Sequence, residues 1–138
     1  MSTQPSSVEQ VLSALRAYYE QWRSLTEAEG EAIRGGLWQQ VDQLQETKRQ
    51  LQQLILGATR ELRAECARSG VDAAAVERQL HSLVEQLVQL ESRNGQSLAE
   101  QLHQTHTQLQ QLDTAGRNLN QIRRAYSPVR EANWESFS

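Results

Sequence analysis

Apolar residues recur along this chain at steps of three and four, the spacing of a helix that lays one face on a core. Val8, Val11, Leu15, Tyr18, Trp22 and Leu25 form the first such seam, widened by Leu12 and Tyr19. Ser6 and Ser7 each stand three residues before a Glu or Gln, so either opens the helix with a capping box. The seam fades after Leu25, and Gly35-Gly36 marks a break. The first predicted helix therefore covers about 7–33.

A second stripe follows: Leu37, Val41, Leu44, Lys48, Leu51, Ile55, Ala58, Leu62 and Cys66. It predicts a helix over 37–69. Lys48 falls on the stripe and is expected to snorkel, its stem packed and its amine in water. Arg68-Ser69-Gly70-Val71-Asp72 then reads as a tight helix-to-helix turn. Gly70 suits the left-handed position after a helix, and Asp72 suits the cap of the next one. Val71 is placed to pack back on Cys66 and forward on Val76. So short a link predicts antiparallel neighbours.

The third periodic segment is the longest, over 72–126. Its seam is Val76, Leu80, Leu83, Leu87, Leu90, Asn94, then Leu98 and Leu102 at two successive steps of four, then Thr105, Leu109, Leu112, Gly116 and Leu119. At 1.5 Å per residue it spans roughly 80 Å as one helix, against about 48 Å for the second. Its far end must overhang, fold back, or pack on the first helix or a partner. The pattern predicts an all-α protein of long antiparallel amphipathic helices, either a three-helix bundle or an extended helical hairpin. Segments 1–6 and 127–138 are expected to be a disordered start and a flexible tail.

Composition supports this reading. The only prolines are Pro5 and Pro128, so nothing between them must break a helix. Aromatics are 5% of the chain, too few for a typical sheet protein. The formal net charge of −3 argues against nucleic-acid binding. No apolar run reaches the roughly 18 residues of a membrane span. MSTQPSSVEQ has neither a basic nor an apolar leader region, so a cytoplasmic location is expected. Cys66 is the single cysteine, which suits a reducing compartment.

The order of features resembles the FlgN family of flagellar type III export chaperones. The matching pieces are the amphipathic first helix, the glycine break before Leu37, Lys48-Arg49-Gln50-Leu51, Arg60, the Gly70 turn, Leu90-Glu91-Ser92-Arg93-Asn94-Gly95, the leucines 98, 102, 109 and 112, and Tyr126. The resemblance covers about residues 8–127. It implies a cytoplasmic chaperone that binds hook–filament junction proteins, blocks their early assembly and delivers them to the export gate.

The residues offer a matching surface. Leu109, Leu112, Leu119, Ile122 and Tyr126 line one side of the late third helix and could seat a client helix. The same stripe could instead be core or the seam of a homodimer, and a self-associating coiled-coil adaptor is the competing reading. Trp134 and Phe137 could anchor a partner from the tail. Asn94 and Gly95 could mark a hinge or a close helix approach. Arg117, Arg123, Arg124 and Arg130 form either an electrostatic footprint or a solvated helix end. His103 and His106 could share a face, but zinc needs three or four ligands, so no metal is expected. Cys66 has no visible base and reads as a small core residue. With no Gly-rich phosphate loop and no nucleophile beside its base, neither an enzyme nor a cofactor is expected.

Overall fold

The computed structural model describes residues 6–126, with Tyr126 described in its backbone only. All the regular structure among them is helical: α1 (Ser7–Arg34), α2 (Trp38–Ser69), α3 (Ala73–Glu77), a 3-10 turn (Arg78–Leu80) and α4 (His81–Tyr126). By its contacts the chain divides into two compact units, Met1–Ala99 and Glu100–Ser138.

Local chemistry sets the helix ends. Ser6 is the cap of α1, its Oγ accepting from the Glu9 backbone N–H at 3.2 Å. At the other end Gly36 takes φ of 68°, a left-handed conformation that glycine adopts without a Cβ clash. Leu37 N–H then reaches back to the Ala32 carbonyl at 2.9 Å and Gly36 N–H to Ile33 at 3.1 Å, satisfying carbonyls the helix leaves open. Gly70 repeats this at the end of α2, also with φ of 68°, and Val71 N–H bonds the Cys66 carbonyl at 2.9 Å. Asp72 Oδ1 accepts from Ala74 N–H at 3.1 Å and opens α3.

Three details differ from the expectations. Leu37 lies outside α2 and is half exposed, because it is consumed in closing α1. Val71 makes its backbone bond but is 42% exposed and stands outside the cluster that holds Cys66 and Val76, so it is not the double packing contact expected of it. The third segment is not one uninterrupted α-helix: α3 and α4 are joined by the 3-10 turn. Over three residues the two windings differ by about 60°, less than the width of an apolar stripe, so the periodicity cannot register the change. Beyond the turn, α4 runs unbroken through Asn94-Gly95.

In the first unit α1 and α2 are antiparallel. Val8, Val11, Leu12 and Leu15 pack with Ala58, Leu62 and Cys66 at one end, joined by Val76 and Leu80. Ala32 and Ile33 pack with Val41 at the other, where Leu44 and Leu98 adjoin. Leu15, Leu62 and Cys66 are almost wholly buried, and each large side chain so removed from water contributes about 1.5–3 kcal/mol. Side-chain bonds from Arg16 to Gln79, Arg23 to Gln86 and Asn94 to Thr26 advance together along both segments. The third segment therefore runs parallel to α1 and antiparallel to α2. This is a three-helix bundle. In the second unit the described residues are the helical stretch 100–126.

Candidate functional site

Between the two apolar clusters of the first unit lies a polar layer. Thr26 and Glu29 of α1, Lys48 of α2 and Asn94 of α4 are all buried. Lys48 Nζ stands 3.5 Å from Glu29 Oε1 and pairs closely with Glu91 Oε1. It also sits 4.7 Å from the centre of the Trp22 ring, whose electron-rich face attracts a cation. Trp22 Nε1 donates to Glu91 Oε1 at 2.9 Å. Thr26 Oγ lies 2.7 Å from the Trp22 carbonyl oxygen and 3.2 Å from Glu91 Oε1, and its single proton serves one at a time. Asn94 Nδ2 donates to the Thr26 carbonyl at 2.7 Å and to Glu29 Oε1 at 3.4 Å. No buried side-chain nitrogen or oxygen among the described residues lacks a partner.

This layer corrects the reading of Lys48. Its amine is not in water; its side chain is only 8% exposed. Two carboxylates and an aromatic face replace the solvent that a snorkelling lysine would seek. Sequence reasoning also missed Thr26 and Glu29, which continue the α1 seam from Trp22 at steps of four and three and lead on to Ile33 at a further four. The seam does not fade after Leu25. It turns polar where the facing stripes carry Lys48 and Asn94. Glu29 on the α1 seam and Lys48 on the α2 stripe, opposite charges at core-facing positions, were the available signal.

Asn94 also packs tightly against α1 at Gly30. A Cβ built on Gly30 would lie 2.5 Å from Asn94 Oδ1, so α4 approaches there only because position 30 has no side chain. Gly95 is different: it is exposed, and a Cβ there meets nothing within 4 Å. The two neighbours thus do separate things, one buried in the close approach, the other on the solvent side of an unbroken helix.

The expected partner stripe lies in the second unit. Of its residues, Leu109, Leu112, Leu119 and Ile122 are 60%, 69%, 62% and 53% exposed, and Leu102, an earlier seam position outside the expected stripe, is 59% exposed. None of them is core. The side chain of Tyr126, together with Trp134 and Phe137, lies outside the described residues. Of the arginines, Arg117 pairs with Asp113 at 2.9 Å, four residues away, as on a solvated helix. His103 and His106 are exposed, and among the described residues no three His, Cys, Asp or Glu side chains are arranged to hold a metal ion. Cys66 is a fully buried free thiol.

A second apolar surface, not anticipated, is a groove of about 580 Å³ in the first unit. Tyr19, Trp22, Ile55, Leu56, Val84, Leu87 and Val88 line most of it. Beside it, burial and then the nearby Glu77 carboxylate push the Tyr19 phenol up from its ordinary value.

No family model, curated protein or solved structure matches the chain. No helix among the described residues is long and apolar enough to cross a membrane. The functional reading therefore rests on the exposed residues and on the resemblance described above.

Proposed function

We propose that this protein is a non-enzymatic binding module, a cytoplasmic flagellar export chaperone of FlgN type. One observation carries the binding part of the reading: four leucines and an isoleucine of one helical stretch each leave more than half their surface in water; the flagellar client comes from the resemblance to the FlgN family alone. A contiguous apolar stripe of this kind is costly to leave uncovered and is the usual mark of a partner site. An amphipathic client segment can lie along it by helix-in-groove packing, ordering as it binds. That ordering lowers affinity per unit area, which suits a carrier that must release its cargo. The clients are hook–filament junction proteins, handed on to components of the export gate.

The test is size-exclusion chromatography with light scattering on the protein mixed with the junction proteins of its own organism. The reading expects a stoichiometric complex. It also expects that Leu112→Asp and Leu119→Asp weaken the complex at least severalfold while circular dichroism shows unchanged helix content, since both side chains are already exposed. No complex with any junction protein sinks the chaperone reading, and global unfolding of the two variants sinks the placement of the site.

A further inference from the structure

The exposed stripe of the second unit is complementary to itself. In heptad terms the core positions are Leu102, Thr105, Leu109, Leu112, Gly116 and Leu119, at alternating steps of three and four. This pattern is symmetric about the Gln110–Gln111 bond. Reversing the helix places Leu102 opposite Leu119, Thr105 opposite Gly116, and Leu109 opposite Leu112. The two interruptions of the apolar seam therefore fall in the same layers, and every remaining layer is leucine on leucine.

We infer that two copies of the chain pair through residues 102–119 as a short antiparallel coiled coil. The direction follows from the residues. A parallel pair would stack Gly116 on Gly116 and leave a layer with no side chain from either copy, forfeiting the dispersion contacts that fill a seam. The antiparallel pair sets one threonine methyl over each glycine. A Cβ at Gly116 meets nothing within 4 Å, so that space is free to receive it. The flanking positions agree. Antiparallel packing brings His106 beside Asp113 of the second copy, whereas a parallel pair sets each of them beside glutamine. An imidazole N–H can donate to that carboxylate in either protonation state. Asp113 keeps capacity for it, since its bond to Arg117 uses one oxygen.

The area is modest. The leucines of the seam are 59–69% exposed. Burying them on both copies, with the flanking Gln108, Ala115 and Ile122, removes on the order of 1,000 Å², the low end for a specific interface. The pair is therefore weak and concentration-dependent. It uses the same stripe as the proposed function, so a client and a second copy compete, but it does not depend on who the client is.

Cysteine cross-linking of the full chain alone, under mild oxidation, reads out the register. Cys66 is fully buried and stays out of the reaction. Thr105→Cys with Gly116→Cys in one chain should give a covalent dimer, while each single variant stays monomeric on a non-reducing gel. Sedimentation of the unmodified chain should show a reversible dimer, weakened more than about tenfold by Leu109→Asp. Cross-linking by either single variant would overturn the antiparallel pairing. So would a monomer at concentrations up to about 1 mM, or a dimer that Leu109→Asp leaves intact. Because no client is present, failure here leaves client capture standing, and a failed client titration leaves the self-pairing standing.

Discussion

A methyl group at position 30 would enter space held by Asn94 Oδ1, 2.5 Å away. Alanine is the better helix former by about 1 kcal/mol. Moving Asn94, however, strips a buried amide of its bond to the Thr26 carbonyl, which costs about 1–3 kcal/mol. Gly30→Ala should therefore lower stability in a denaturant melt by about 1 kcal/mol. Gly57→Ala and Gly95→Ala, where nothing lies within 4 Å, should raise it. Equal effects at all three would contradict the close approach. Lys48 makes the same point with charge. Lys48→Met leaves Glu29 buried without its cation and should cost about 3 kcal/mol, most of it recovered in the double variant with Glu29→Leu. Tyr19 carries a pH signature. Its phenol titrates higher in the fold than in the unfolded chain. As pH rises past about 10 the unfolded chain sheds that proton first, so stability falls there. Tyr19→Phe should flatten the alkaline limb of a stability-against-pH curve.

At the scale of elements, the strong periodicities and the two glycine turns were legible. Ser6, Gly36, Gly70 and Asp72 act through bonds within a few residues, which is why reading neighbours suffices for them. The 3-10 turn at Arg78–Leu80 was not legible, since one tightened turn leaves the apolar spacing unchanged. The polar layer was half legible. Lys48 and Asn94 stood out as intruders on their stripes, but their partners lie 19 to 68 residues away. Spacing along one helix cannot say which depths of two helices meet. The late stripe of α4 was legible as an apolar face, and its exposure is a finding of the structure.

At the scale of the whole molecule, the two units divide the labour. The first buries its apolar seams and holds the buried charges Glu29 and Lys48 in a layer where no buried side-chain nitrogen or oxygen among the described residues lacks a partner. The second carries the leucines that nothing among the described residues covers. This uncovered stripe is the proposed seat of a client. The most direct measurement is light scattering after size exclusion, on the protein titrated with each junction protein of its own organism, beside the Leu112→Asp and Leu119→Asp variants. A defined complex that both variants lose while staying folded is the expected result. A complex that survives both substitutions, or no complex at all, would contradict it.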